Sequence, residues 1–345
     1  MRKHAICVYL ALASLVLIVC SASAQQNPRS DQDDVVRVDT TLVTITVSAK
    51  DRRGKHVSDL KREDFRLYED GLPQEIVYFD APANLAATAS RSTLPFTVVL
   101  VLDVSDSTEH KIQEIQSAAI AFLDQLQPDD RVLVVAFDKH IQILAEATSD
   151  RDQLRTAIRN THTGHGTTLY GAIDFVINHR LRNIAGRKAI VLFTDGVDTA
   201  SKEATFDSTV SAATMSDAVI YPIQYNTYED FIDSPSRTTP IANGPLLIGH
   251  NTPIGEPASE AYKRAARYLR LLAAQTGGTM QYSDSIKYLS RSFTRIATEL
   301  RQQYTLGYYP KNRDASGSPR QIKVKIEKPG VSATARKNYT YAPPR

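Results

Sequence analysis

Four apolar runs, "FTVVLVL" (96–102), "RVLVVAF" (131–137), "KAIVLF" (188–193) and "AVIYPI" (218–223), are too continuous for strands that turn one face to water. Strands of this kind lie in the middle of a sheet covered on both sides. Between them stand segments with helical spacing. "TEHKIQEIQSAAIAFLDQLQ" puts Ile112, Ile115, Ala119, Phe122, Leu123 and Leu126 on one stripe. "LYGAIDFVINHRL", "ATFDSTVSAATMSD" and "EAYKRAARYLRLLAAQT" read as helices, and a last helix carries Ile286, Leu289, Phe293, Ile296 and Leu300. "IQILAEA" is a short partner strand and "TMQYSD" a further strand. Strands alternating with helices predict an α/β fold with a doubly wound, mostly parallel sheet over 96–303.

The flanks have a different period. From Val35 to Asp80, "VRVDTTLVTITVSAK", "FRLYEDG" and "QEIVYFD" alternate with period two, and Glu69-Asp70-Gly71 reads as the turn joining the last two. Period two returns after Gln303 in "YTLGYYP", "RQIKVKIEK" and "SATARKNYTY". Three strands at either end bury too little apolar area to stand alone. The expectation is that strands of 35–80 and 304–345 pack together as one small β-sandwich, with the α/β domain inserted between them. Residues 81–95 are small and aperiodic and read as a linker.

Residues 1–24 read as a secretory signal peptide: Arg2, Lys3 and His4, an apolar stretch from Ala5 to Val19, then Ala22-Ser23-Ala24, with cleavage near Ala24. The expected location is therefore secreted or periplasmic, with no membrane span in the mature chain. Both cysteines, Cys7 and Cys20, fall inside the leader, so disulfide and thiolate chemistry are not expected. Cys20 as a lipid-attachment residue is the alternative, although Val19 before it is larger than such processing prefers. Removing the leader leaves 39 basic against 38 acidic residues, a balance that points to no nucleic-acid partner.

Three polar clusters stand where the rim of such a sheet gathers its loops. Asp103-Val104-Ser105-Asp106-Ser107 follows the first apolar run, Thr167 in "HGTTLYGAI" precedes a helix, and Asp195 in "FTDGVD" closes the third. Ligands bind at the carboxyl ends of strands in open α/β sheets. Asp103, Ser105, Ser107, Thr167 and Asp195 together make an all-oxygen donor set with two charges, which suits a hard divalent cation such as Mg²⁺. An ion held by so little negative charge keeps an electrophilic open position for a carboxylate from another molecule. The expected partner is a protein with an exposed Asp or Glu. Each cluster alone also suits an ordinary helix cap. His162 and His165 lack the further ligands a zinc site needs and read as solvated loop residues, as does the run Lys50–His56.

At these residues the chain resembles a von Willebrand factor type A domain with a metal-ion-dependent adhesion site. The family's D-x-S-x-S falls on Asp103, Ser105 and Ser107, its threonine on Thr167 and its last aspartate on Asp195. The resemblance implies Mg²⁺ or Mn²⁺ as the ion, protein ligands, and one antiparallel edge strand, for which "IQILAEA" is the candidate. The flanks "DFRLYEDGLPQEIVYFD" and "YTLGYYP…IKVKI…ARKNY" resemble a bacterial secreted family, the VWFA-related proteins. Many relatives have Gly between the two serines where this chain has Asp106, a carboxylate that would either strengthen cation binding or stay in solvent.

An enzyme is not expected: G-x-S-x-G, P-loop and H-E-x-x-H motifs are absent. The alternatives are a metal-dependent hydrolase using the same aspartates, against which Ser105 stands where a second aspartate would be needed, and a metal-free scaffold of an envelope complex. The long segment from Thr227 to Glu260 leaves the same rim. It is expected to set partner choice, or to cap the ion through Glu229, Asp230 or Asp233.

Overall fold

The computed structural model describes residues 42–82, 95–225 except 183 and 185, 257–283, and 289–340 except 313, 315 and 316. The leader with Cys7 and Cys20, most of the linker, Ile286, and the segment carrying Glu229, Asp230 and Asp233 lie outside the described residues.

A six-stranded sheet forms the centre, in the order β10-β9-β8-β5-β6-β7. Its strands are β5 (Phe96–Asp103), β6 (Arg131–Phe137), β7 (Ile141–Thr148), β8 (Arg187–Thr194), β9 (Val219–Tyr225) and β10 (Gln281–Ser283). All pairings are parallel except β6 with β7, so β7 is the antiparallel edge that "IQILAEA" predicted. Successive residues of β5 point to opposite faces. Val98, Leu100 and Leu102 enter one core with α1 (Ile112–Leu123), α2 (Arg151–Arg159) and α6 (Leu289–Arg301). Val99 and Val101 enter the other, beneath the helix pair α4 (Phe206–Met215) and α5 (Ala258–Thr276) and the helix α3, which runs Leu169–Asp174 and continues in wider π turns over Phe175–Leu181. Every residue of β5 and β8 is buried, as strands covered on both faces require.

Strands from the two ends of the chain interleave in two four-stranded sheets. One has the order β13-β1-β11-β4 and the other β14-β12-β2-β3. Here β1 is Val43–Asp51, β2 Phe65–Glu69, β3 Leu72–Gln74 and β4 Tyr78–Asp80; from the other end come β11 (Gln303–Tyr308), β12 (Pro319–Ile326), β13 (Val331–Ala335) and β14 (Asn338–Thr340). Ile45, Val47, Phe65 and Leu67 share one core with Tyr304, Leu306, Tyr308 and Ile322. The turn read at Asp70-Gly71 is present, with φ of 49° and 81°, the left-handed pair a two-residue hairpin needs.

Three sequence expectations are corrected. "QEIVYFD" is not one strand: Gln74 ends β3, which pairs with β2, and after Glu75–Val77 the chain enters the other sheet as β4, paired with β11. "SATARKNYTY" likewise splits, β13 pairing with β1 and β14 with β12. Helix α2 was not anticipated, because only Leu154 and Ile158 of its nine residues are buried. Its N-cap Asp150 accepts from the backbone N–H of Asp152 and Gln153.

Candidate metal centre

Although β6 follows β5 in sequence, β8 lies on the other side of β5, and chain order reverses between them. That reversal opens a crevice at the carboxyl ends of the two strands. Leu102 stands opposite Phe193, so Asp103 and the pair Thr194-Asp195 reach the rim side by side. Asp103 is fully buried and Asp195 nearly so. Asp103 Oδ1 accepts from Ser105 N at 3.1 Å and Oδ2 from Thr194 Oγ1 at 2.6 Å, while Asp195 Oδ1 accepts from Val197 N at 2.9 Å. Burial, and then the Asp195 charge, push the Asp103 carboxyl up to about 7, against the hydrogen bonds from Ser105 and Thr194, which lower it.

Three loops close on this pair. In the first, Thr108 donates both its backbone N–H and its hydroxyl to Ser105 O, at 2.9 and 2.7 Å, tightening the 3₁₀ turns of Asp106–Lys111. That turn sets the Ser105 and Ser107 hydroxyl oxygens 3.2 Å apart. The second loop, 162–168, docks on the first through Gly164 N to Val104 O at 2.8 Å. Asp106 fixes it further, pairing with His165 Nδ1 at 2.5 Å and accepting from Gly166 N at 3.2 Å. The third loop is tied to the second around Thr167. Thr167 N donates to Thr199 Oγ1 at 2.9 Å, and Thr167 O accepts from Thr199 N and Ala200 N at 2.9 and 3.0 Å. Asp198 and Ser201 of that loop then receive the N–H groups of Tyr170 and Gly171 at the start of α3.

Asp103, Ser105, Ser107 and Asp195 therefore stand together at the strand ends, and Thr167 is tied through its backbone to the loop that follows Asp195. Asp106 stays exposed to solvent, one of the two roles expected for it. Its carboxylate also staples the second loop to the first. His165, solvent-exposed as read, is its partner.

Two residues that belong to the crevice carried no role in the sequence reading: Thr194 inside "FTDGVD" and Tyr225 just past the run "AVIYPI". Thr194 is buried and holds Asp103. Tyr225, at the end of β9, is buried, stacks on Phe193 with centroids 4.5 Å apart, and brings its hydroxyl oxygen to 3.4 Å from Ser107 Oγ. Burial, then the Asp103 and Asp195 charges, raise its phenol well above the ordinary value, so it is a neutral hydroxyl at the site.

The donor set fits a hard cation: two buried carboxylates that repel each other, with neutral hydroxyls around them. Among the described residues no three His, Cys, Asp or Glu side chains converge on one point. An ion here would rest on Asp103 and Asp195, with Ser105, Ser107 and Thr167 as neutral oxygens.

A sequence model of the von Willebrand factor type A domain matches residues 98–197, a stretch that contains all five of these residues. An uncharacterized protein of Synechocystis sp. is 32% identical over 107 residues, covering 30% of this chain and 26% of that one. An uncharacterized protein of Borreliella burgdorferi is 26% identical over 144 residues, covering 39% of this chain and 42% of the relative. The matches thus span less than half of the length of either curated relative. Among solved structures, the vWF domain of the type V pili tip protein Mfa5 from Porphyromonas gingivalis is similar at 14% identity and TM-score 0.44, over 61% of this chain and 96% of that one. A von Willebrand factor type A protein from Catenulispora acidiphila is similar at 12% identity and TM-score 0.45, over 80% and 73%. Proximal thread matrix protein 1 from the mussel byssus, solved with zinc in its MIDAS motif, is similar at 15% identity and TM-score 0.45, over 63% and 48%.

Proposed function

The stretch 98–197 is a von Willebrand factor type A domain, and from that premise we propose that this chain captures a protein partner through a divalent cation at its rim. Asp103 and Asp195 supply the charge, and Ser105, Ser107 and Thr167 supply neutral oxygens. Mg²⁺ or Mn²⁺ is the ion this oxygen set suits. The bound ion serves as a Lewis acid of incomplete shell, and a partner's Asp or Glu carboxylate is the group that completes it. The observation that carries this reading is the juxtaposition of two buried carboxylates, Asp103 and Asp195, where burial and then the Asp195 charge push the Asp103 carboxyl up to about 7.

The surrounding architecture supports the reading. The loops that would hold the ion are cross-linked to one another and rooted in fully buried strands, so donor positions are fixed before binding. The strands of both termini, on this reading, form a β-sandwich that carries the inserted domain. Its contacts to the domain involve Ser216, Gln275 and Glu299, which precede β9 or close helices α5 and α6. The leader read at 1–24 would deliver the protein to the periplasm or beyond, where Mg²⁺-dependent capture of an envelope protein is its expected work. No helix among the described residues is long and apolar enough to cross a membrane.

The test is capture from native envelope with immobilised full-length protein, in Mg²⁺ and then in EDTA, alongside Asp195→Ala. Binding that needs both the ion and Asp195 supports the proposal. Partners retained equally in EDTA would favour a metal-free scaffold, and hydrolysis of phosphate esters abolished by Asp103→Ala would favour an enzyme.

A further inference from the structure

Tyr225 has no role in the five-residue donor set, yet its hydroxyl is buried against it. The ring is fixed: it stacks on Phe193 at an interplanar angle of 17°, and the side chain is 1% exposed. Its hydroxyl oxygen stands 3.4 Å from Ser107 Oγ, a long separation for two hydroxyls that a small movement of the serine closes.

A serine oxygen that gives a lone pair to a cation still has its proton to place, and the cation makes that proton a stronger donor. Among the described residues, Ser107 Oγ is hydrogen-bonded to two oxygens, Ser105 Oγ at 3.2 Å and the Tyr225 hydroxyl. Ser105 is itself a donor to the same ion, which leaves it the poorer acceptor. We propose that the Tyr225 hydroxyl is a positioning group for the cation site, accepting the Ser107 proton so that the Ser107 oxygen faces the ion. The inference rests on the cation reading above and adds a residue that acts only through Ser107.

The experiment is calorimetric titration of the full chain with Mg²⁺ and Mn²⁺, using wild type, Tyr225→Phe, Ser107→Ala and the double variant. Tyr225→Phe keeps the ring on Phe193, and equal melting temperatures in EDTA establish that the fold is intact. The expected result is a roughly two- to ten-fold weaker ion affinity in Tyr225→Phe, the range one hydrogen bond contributes. In the Ser107→Ala background the tyrosine change should have no further effect. Full affinity in folded Tyr225→Phe, or losses that add independently in the double variant, would overturn the inference while leaving the cation site standing. Wild-type protein that takes up no ion would overturn both.

Discussion

Two carboxylates buried side by side destabilise a fold unless a proton or a cation lies between them. At Asp103, burial and the neighbouring carboxylate favour the proton. Its folded carboxyl is pushed up to about 7, by burial first and Asp195 second, while the same group in the unfolded chain titrates near 4. The folded state therefore holds a proton that the unfolded state releases. Stability from this group is present below about pH 4 and is lost as pH rises through about 7. Melting curves in EDTA should show wild type gaining stability, relative to Asp103→Asn, as pH falls from 8 to 5; parallel profiles for the two would contradict the assignment. A bound cation displaces the same proton, so Mg²⁺ affinity should weaken as pH drops below about 7. The three charged or hydroxyl clusters were legible in the sequence because each interrupts an apolar pattern. The roles of Thr194, inside "FTDGVD", and of Tyr225, past the run "AVIYPI", were not, because nothing in a linear pattern says which strand residue turns its hydroxyl to a neighbouring strand's end. Asp106 was legible as an extra carboxylate, but its partner His165 is 59 positions away in another loop.

Elements are joined at a few close approaches, and the end of α5 is one. Gly277 ends that helix in the left-handed conformation, φ 82°, and a Cβ there would lie 2.7 Å from the Ala335 carbonyl carbon at the end of β13. Gly277→Ala should cost about 1–3 kcal/mol, from the backbone conformation together with the clash, read as a lower urea midpoint. A change within experimental error would mean that helix and strand are not docked as described. Helices with a wide apolar stripe, such as α1 and α6, were legible from spacing alone. In α2 the buried pair Leu154 and Ile158 stands among Arg, Asp and Gln, and the cap at Asp150 was its stronger signal. The break between β3 and β4 was hidden for another reason: period two persists across it, while the partner strand changes from β2 to β11.

At the scale of the whole molecule, the two ends of the chain are locked by a buried polar cluster. Glu69 in β2 receives Arg320 Nη1 from β12 at 2.9 Å, Tyr308 from β11 at 2.6 Å and Tyr339 from β14 at 2.7 Å, and Glu69 and Arg320 are nearly inaccessible to water. Glu69→Ala takes the carboxylate from a buried guanidinium that keeps only neutral partners such as the Asn312 and Asp314 carbonyls, and should cost about 3–5 kcal/mol of global stability by chemical denaturation. A loss below about 1 kcal/mol would show that the terminal sheets are not coupled through it. The cluster is remote from the rim, so this variant should bind cations as wild type does. The division of labour is thus a terminal-strand assembly that holds the chain's ends and a central sheet that presents oxygen atoms. The central claim is tested most directly by isothermal calorimetry of the intact chain with Mn²⁺ and Mg²⁺, beside Asp103→Ala and Asp195→Ala. The account predicts one ion per wild-type chain and none in either variant; no uptake by wild type, or undiminished uptake by the variants, would contradict it.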